Sequence, residues 1–352
     1  MSSFRDLVLT DEQRYPYAPE HYLVNQEWDN GFSKGYGEHF HPVPAYFADC
    51  HVHYLFPQTG QAILDSAYRL LKVRMPYPVK KLLLLPPVGV GGWPLALQRT
   101  YQVRQLNPHL ELERTDPNLG WAIYLRHDTP DPGFVEEAVA KGCNGVKLHM
   151  APMLMEGVDY RVFLSPEWDK TFSTMEKYRL PVLFHITQTV MNSPYKAGSG
   201  SSERYTEQSY FVGARSRGLG YTNFDLLEMF QELLRRYPGI TFVGAHELYM
   251  GLDRLDELFD RYANLCVDTC GGFTLIPFDH MYPQEAESYK KFFIKHADRL
   301  LFATDAESNF YQTEDEYRFS YERRMRFIME LHLPDDVLQK VCHSNCERVF
   351  GL

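Results

Sequence analysis

The stretch YFADCHVHY, residues 46–54, joins an apolar run to two histidines, His51 and His53. In a β-strand the side chains alternate between two faces, so residues i and i+2 point the same way. Two imidazoles side by side at the end of a strand can share one metal ion. Two ordinary surface histidines at a strand–loop junction would give the same letters, so the remaining sequence must distinguish the two interpretations.

Seven further apolar runs follow this first one along the chain. Most of them are nearly continuous, which is the pattern of parallel strands covered on both faces. We predict strands at 46–54, 79–88, 119–126, 144–150, 181–187, 240–248, 264–270 and 299–307.

Amphipathic segments between the runs predict helices. Residues 131–142 have Pro near the start and Gly at the end, and residues 165–179 begin Ser-Pro-Glu, which are signals of capped helices. Further helices are expected at 223–238, 252–262, 285–297, 313–332 and 334–343. This alternation fits a closed (β/α)₈ barrel or a doubly wound open sheet. No Gly-x-Gly-x-x-Gly supports a dinucleotide-binding sheet, so we predict an α/β fold of the TIM-barrel type.

Two segments exceed a minimal barrel, which we place at residues 46–352. Residues 1–45 are predicted to be an N-terminal extension that packs on the barrel or contacts another subunit. Residues 188–222 are polar and rich in glycine, and they leave the end of strand five. Connections of this length are usually lids or disordered segments, and we predict a lid here because the segment follows a strand that ends in a histidine.

Composition excludes several classes of partner. The net charge of -10 and the lack of a basic stripe argue against nucleic acid. The N-terminus lacks a signal-peptide core, and the longest apolar stretch, residues 82–97, is broken by Pro and Gly, so no membrane helix is expected. Six scattered cysteines suit reduced thiols in the cytoplasm. The remaining candidate partners are a small-molecule substrate, either neutral or anionic, and a second copy of the chain in a homodimer.

Polar side chains capable of binding a metal or a substrate end five of the predicted strands. In a (β/α)₈ barrel the carboxyl ends of all strands meet at one rim, so these side chains should converge. They are His51 and His53 on strand one, Lys147 and His149 on strand four, His185 on strand five, His246 on strand six and Asp305 on strand eight.

This set resembles the signature of the amidohydrolase superfamily, with His-x-His on strand one, His on strands five and six, and Asp on strand eight. The motifs GVKLH, FVGAH, FATD and the C-terminal NCERVFGL are similar to its amidohydrolase-related branch. That branch includes aminocarboxymuconate semialdehyde decarboxylase and resorcylate-type decarboxylases. The resemblance covers residues 46–352.

The resemblance implies a metal held by His51, His53, His185 and Asp305. Nitrogen and oxygen donors of this kind suit Zn²⁺, with Mn²⁺, Fe²⁺ or Co²⁺ as alternatives. The resemblance also implies that Asp305 acts as general base and that His246 takes part in catalysis. Three acidic residues near strand ends, Glu247, Glu307 and Asp268, are candidates for orienting a histidine.

Lys147 admits more than one interpretation. Two-metal relatives carry a carboxylated lysine on strand four, whereas a lysine inside the barrel can also bind a substrate carboxylate. We favour one metal, with Lys147 and His149 in contact with the substrate. In the predicted lid, Arg204, Arg215 and Arg217 are further candidates for binding an anionic substrate.

Two functions remain open. The first is a metal-dependent hydrolase acting on a small amide, ester or lactone. The second is a non-oxidative decarboxylase of a small unsaturated or aromatic carboxylic acid that uses the same ligands. A binding protein without catalysis has little support, because the ligand set is complete.

Overall fold

The computed structural model describes residues 42–54, 60–75, 77–86, 107–111, 116–186, 223–249, 252–270, 283–307 and 313–352. These residues form nine strands, and all neighbouring strands are parallel. The strands are β1 (Phe47–His53), β2 (Val79–Leu85), β3 (Leu119–Tyr124), β4 (Gly145–His149), β5 (Val182–His185), β6 (Phe242–Gly244), β7 (Leu265–Asp268), β8 (Leu300–Leu301) and β9 (Ala306–Glu307).

The predicted strand eight forms the last two of these strands, and it closes the barrel. β8 pairs with β7, whereas β9 pairs with β1, so the chain crosses from one neighbour to the other between residues 301 and 306. Asp305 lies in this crossing with a φ of +55°. The left-handed backbone at Asp305 interrupts the extended ladder, and for this reason the single predicted strand is divided. The prediction of a (β/α)₈ barrel is confirmed.

Helices alternate with the strands along the chain. Within the described residues they are α1 (Gly60–Lys72), α2 (Pro132–Ala140), α3 (Ala151–Glu156), α4 (Pro166–Lys177), α5 (Asn223–Arg236), α6 (Leu252–Arg261), α7 (Pro283–Lys295), α8 (Glu314–Glu330), α9 (Asp335–Gln339) and α10 (Asn345–Phe350). A π-helical turn, Lys340–Ser344, joins α9 to α10, so the helix predicted to end at 343 continues to 350.

Sequence patterns located most of these helices, and their capping signals are real. Asp131 accepts a hydrogen bond from the backbone N–H of Phe134 at 2.9 Å, and Ser165 caps α4. Two helices, α1 and α3, were not predicted. In α1 the apolar spacing of Ile63, Ala67 and Leu70 carried the signal, and all three are buried.

The core has two layers, as barrel geometry requires. One layer lies between the strands and the helices, and a smaller one fills the barrel interior and ends at Cys346 and Phe350 on the amino-terminal side.

None of the helices in the described ranges is long and apolar enough to cross a bilayer.

The segments outside the barrel remain largely undescribed. Of the predicted extension only residues 42–45 are described, and there the Ala45 N–H donates to Gln339 of α9 at 3.1 Å. The predicted lid, 188–222, lies outside the described residues. The assignments of both segments stay predictions.

Candidate metal centre

A β-bulge in β1 turns its two histidines into the barrel. The three steps of Asp49–Val52 lie opposite only two steps of β2, Leu82–Leu84. Even-numbered side chains join the interior core before this irregularity and the outer core after it. The extra residue therefore reverses the alternation, and the odd-numbered His51 and His53 face inward.

His51, His53 and Asp305 form the compact donor group of the site. The Nε2 atoms of the two histidines are 3.1 Å apart. Asp305 Oδ1 lies 3.3 Å from Nε2 of His51 and 3.6 Å from Nε2 of His53. Ligands about 2.0–2.1 Å from a tetrahedral metal are about 3.4 Å from each other. The three side chains therefore fit a shared metal ion without rearrangement.

Both histidines offer an Nε2 lone pair to that position. Nδ1 of His53 lies 2.8 Å from the carbonyl oxygen of Pro86, and Nδ1 of His51 lies 2.7 Å from Asp268 Oδ2. A carbonyl or carboxylate oxygen can only accept, so each Nδ1 carries the proton. Burial, with Lys147 nearby, lowers the pKa of His51 well below its usual value and that of His53 to about 4. Both rings are therefore neutral, as metal ligation requires.

Asp268 at the end of β7 fixes the position of His51. Besides the His51 ring, its carboxylate accepts the backbone N–H of His246 at 2.8 Å, the backbone N–H of Cys270 at 3.3 Å and the Cys270 thiol at 3.0 Å. Asp268 is fully buried, and hydrogen bonds from four donors hold its carboxylate in a single position. The predicted orienting contact of Asp268 is thus present.

His185 and His246 form an adjacent pair of imidazoles. Nδ1 of His185 lies 3.2 Å from Nε2 of His246, and Nδ1 of His246 donates to the carbonyl oxygen of Cys270 at 2.8 Å. His246 Nε2 is 4.0 Å from Asp305 Oδ2. Within the described residues, the compact donor group does not include His185, so its role as a fourth ligand stays a prediction.

The backbone is left-handed at both predicted catalytic residues. His246, Glu247 and Leu248 have φ of +58°, +49° and +59°, and Asp305 has +55°. For residues other than glycine this conformation costs roughly 1–2 kcal/mol each. Strained backbone persists where the surrounding structure over-determines it, and it is concentrated at functional sites.

Asp49 supplies the surrounding support for Asp305. Its buried carboxylate accepts the N–H of Thr304 at 3.1 Å, the Thr304 hydroxyl at 2.5 Å and the Tyr321 hydroxyl at 2.6 Å. It also accepts the N–H of His51 at 3.0 Å. Burial raises the pKa of Asp49 to about 6, against the opposing effect of these hydrogen bonds. One carboxylate therefore ties the first strand to the segment that carries Asp305.

Lys147 and His149 face the same interior from β4. Lys147 is fully buried, and its Nζ lies 2.9 Å from Nε2 of His51, while burial lowers its pKa to about 8. The His149 ring lies against that of His185 with centroids 4.1 Å apart. Nδ1 of His149 accepts the N–H of Ala151 at 2.9 Å, so Nε2 carries its proton.

The remaining predicted contacts lie outside the described residues. They are Arg204, Arg215 and Arg217, all within the predicted lid, and their role stays a prediction.

Asp49 is a residue of the site that the sequence analysis did not predict, although its hydrogen bonds support the segment that carries Asp305. The sequence does contain a signal for this role, which is a carboxylate inside an apolar strand. Such a buried carboxylate needs hydrogen-bond donors around it.

Together these observations define a (β/α)₈ barrel with a candidate metal-binding donor group at the carboxyl-terminal rim of its strands. A family model described as amidohydrolase matches residues 48–352, and the chain is therefore an enzyme of the amidohydrolase superfamily. No curated protein matches the chain at the sequence level.

Solved structures agree with this fold at low sequence identity. 2,6-Dihydroxybenzoate decarboxylase from Rhizobium superposes with a TM-score of 0.52 and 14% identity, covering 87% of this chain and 99% of its own. 5-Carboxyvanillate decarboxylase from Novosphingobium aromaticivorans, solved with manganese, gives 0.52 and 14% over 87% and 96%. A putative amidohydrolase from Staphylococcus aureus gives 0.51 and 18% over 87% and 100%. At these identities the likeness establishes the fold alone.

Proposed function

We propose that the chain is a metal-dependent hydrolase that directs water at a small amide, ester or lactone. The observation that carries the proposal is the donor group of His51, His53 and Asp305, whose ligand atoms all lie within 4.8 Å of one another. Of the three, Asp305 is the most accessible, with 39% of its side chain exposed. A substrate approaching from the rim would meet this carboxylate first.

Zn²⁺ is the proposed metal, because nitrogen and oxygen donors in a compact group suit it. Mn²⁺, Fe²⁺ and Co²⁺ remain alternatives, and manganese is bound in the 5-carboxyvanillate decarboxylase structure. His185 is the proposed fourth ligand. A second metal bridged by carboxylated Lys147 has less support, because Lys147 Nζ is engaged with a ring nitrogen of His51 at 2.9 Å.

A bound divalent ion supplies Lewis acidity and lowers the pKa of water from 15.7 toward about 7. The chain's own part is to place and move protons. Asp305 accepts the proton of the attacking water at a carboxylate oxygen. His246, with Nε2 4.0 Å from Asp305 Oδ2, is positioned to pass a proton onward to the leaving group. Lys147 and His149 hold the substrate from β4.

Decarboxylation of a small unsaturated or aromatic acid is the second candidate. The observation in its favour is the buried cation of Lys147 beside the protonated Nε2 of His149, since both can bind a carboxylate. In this reaction the leaving carboxylate becomes CO₂, and a proton donor such as His246 must supply the proton that takes its place on carbon.

The cellular context is also a proposal. All six cysteines are free and five are buried, which supports a reducing, cytoplasmic location. The proposed partners are a small, anionic substrate and a second copy of the chain, with no nucleic acid and no membrane.

The test combines metal analysis with two assays on one preparation. We expect about one equivalent of divalent metal per chain, and turnover that a chelator abolishes and Zn²⁺ restores. Ester, lactone and amide hydrolysis is followed beside CO₂ release from aromatic and enoic acids. Hydrolysis without CO₂ supports the first function, and CO₂ release supports the second. Turnover that persists after metal removal would contradict both.

A further inference from the structure

Thr304, the residue before Asp305, makes two hydrogen bonds through its hydroxyl group. The oxygen accepts the backbone N–H of Ala306 at 3.2 Å, and the hydroxyl donates to Asp49 Oδ2 at 2.5 Å. The direction of the first bond is fixed, because a backbone N–H can only donate, and the hydroxyl proton is left for the carboxylate. Thr304 and Ala306 flank Asp305, so one hydroxyl connects the backbone on both sides of the proposed general base to a buried carboxylate.

The two oxygens of Asp49 bind different kinds of group. Oδ1 accepts the backbone N–H of His51 at 3.0 Å and that of Thr304 at 3.1 Å. Oδ2 accepts the hydroxyls of Thr304 and Tyr321. Oδ1 therefore sets the spacing between β1 and the crossing that carries Asp305, while Oδ2 is held by two side chains. These four donors fill the acceptor positions of a carboxylate, so the group has a defined orientation.

Tyr321 connects this carboxylate to helix α8. Its hydroxyl lies 2.6 Å from Asp49 Oδ2. Asp49, Thr304 and Tyr321 are all fully buried, so water does not compete for their hydrogen bonds. Three elements of the fold, β1, the crossing after β8 and α8, thus meet at one carboxylate.

The left-handed backbone at Asp305 depends on such support. Its φ of +55° is unfavourable for a residue with a side chain and persists only where the surroundings determine it. Directly after Asp305, Ala306 pairs with Val52 of β1. The result is a separation of 3.3 Å between Asp305 Oδ1 and Nε2 of His51. Groups that share a metal ion have to be held to within about 0.5 Å, so a small shift of the crossing would matter.

We propose that Thr304 and Tyr321 are positioning residues of the metal centre and that both act through Asp49. We call Asp49, Thr304 and Tyr321 the clamp. The clamp holds the left-handed backbone of Asp305 at a fixed distance from His51. It deepens the proposed function and rests on it for the presence of a metal ion at this rim.

The hydrogen bonds of the clamp also join the first and last strands of the barrel. Their loss should lower stability whether or not they position the metal ligands. The deciding measurement is therefore the geometry of the bound metal in protein that is folded. Co²⁺ suits this purpose, because its visible absorption depends on the number and arrangement of its ligands.

The test compares Thr304→Val with Thr304→Ser in the full chain loaded with Co²⁺, at a temperature where urea denaturation shows both variants to be folded. Valine has the shape of threonine without the hydroxyl, whereas serine keeps the hydroxyl. Thr304→Val should change the visible absorption of Co²⁺ and weaken its affinity about tenfold in a chelator competition, and Thr304→Ser should stay near the wild type. An unchanged spectrum and affinity in Thr304→Val, or equal losses in the two variants, would overturn the clamp.

Tyr321→Phe is a second variant, for the case in which Thr304→Val does not fold. It removes one donor from Asp49 Oδ2 and leaves both hydrogen bonds of the Thr304 hydroxyl in place. The spectrum and the affinity should therefore change in the same direction as in Thr304→Val, but by less. Wild-type behaviour of Tyr321→Phe would contradict the role of Tyr321, and it would overturn the clamp if Thr304→Val is unfolded.

Two matched controls lie outside the barrel interior. Tyr237→Phe removes a buried tyrosine hydroxyl that donates to the carboxylate of Asp169 at 2.5 Å. Thr171→Val makes the same exchange as Thr304→Val at a buried position of α4. Both should keep the Co²⁺ spectrum and affinity of the wild type. Losses in these controls equal to those in the clamp variants would overturn the clamp, because any buried hydroxyl would then have the same effect.

Turnover distinguishes failure of the clamp from failure of the proposed function. A protein without turnover whose Co²⁺ spectrum depends on the Thr304 hydroxyl would support the clamp and contradict the enzyme reaction. If turnover is present, Thr304→Val should lower kcat more than it changes KM, because Thr304 acts on the placement of Asp305. Metal-dependent turnover with kcat and the Co²⁺ spectrum unchanged in Thr304→Val would contradict the clamp alone.

Discussion

The two ends of the barrel handle buried polar groups in opposite ways. At the amino-terminal end Asn144 bonds the backbone of Trp121 and Phe350, and Asn345 donates to two backbone carbonyls. These amides cannot titrate, and their needs are met within the chain. At the carboxyl-terminal end the buried groups are imidazoles, carboxylates and a lysine, and the backbone at His246 and Asp305 is strained.

Stability and reactivity are located at different ends of this barrel. Satisfied amides hold elements together at little cost, whereas strained backbone is frequent at functional sites. In TIM barrels the carboxyl-terminal face carries the chemistry and the opposite face carries stability. Substitutions at the two ends should therefore affect different measurements.

The largest effect is expected from the histidines of the rim. His51→Ala or His185→Ala should lose bound metal and turnover together, because each removes a proposed ligand. Elemental analysis and kcat on the same preparations measure both. His343→Ala, on the π-turn at the amino-terminal side, is the matched control and should keep the metal. Unchanged metal content in both rim variants would contradict the assignment.

Asp305→Asn should separate rate from metal binding. The amide oxygen can stay as a weak ligand but cannot accept a proton, so kcat should fall by roughly 10²–10⁴ while metal remains. Metal content and kcat are measured on one preparation. A near-normal rate with metal retained would shift the proton transfer to another group, first of all His246.

A smaller effect on metal affinity is expected from Asp268, which contacts the proposed ligand His51. Asp268→Asn removes the charge that holds the proton on His51 Nδ1, and metal affinity should fall about 10–100-fold. A chelator competition titration measures the affinity. Asp298→Asn, an exposed carboxylate paired with Lys340, should leave it unchanged. Equal affinities in all three proteins would show that Asp268 does not support the site.

The amino-terminal end should respond in stability alone. Asn345→Ala leaves the carbonyls of Ala297 and Leu300 unpaired and should lower the free energy of unfolding by about 2 kcal/mol. Urea denaturation measures this change, with the exposed Asn118→Ala as control. Metal content and kcat should be unaffected at temperatures where the variant is folded. A loss of activity in the folded variant would contradict the hypothesis that the amino-terminal end affects stability alone.

The sequence predicted much of this arrangement, and the failures have physical reasons. Apolar runs and caps located all eight barrel strands, and strand ends nominated His51, His53 and Asp305 as neighbours. The bulge that decides which face His51 occupies leaves no mark in the pattern, because either phase fits YFADCHVHY. The division of strand eight depends on Asp305 adopting a left-handed backbone, which is a tertiary effect.

The closure between β1 and β9 also has a consequence for folding. Asp49 and Thr304, whose hydrogen bonds join this seam, are 255 positions apart in the chain. Contacts of such long range form only after most of the intervening chain has been ordered, because loop closure costs entropy first. The donor group of His51, His53 and Asp305 bridges the same seam. The site is therefore assembled by the final pairing of the barrel, and a chain that has not joined its first and last strands has no active centre.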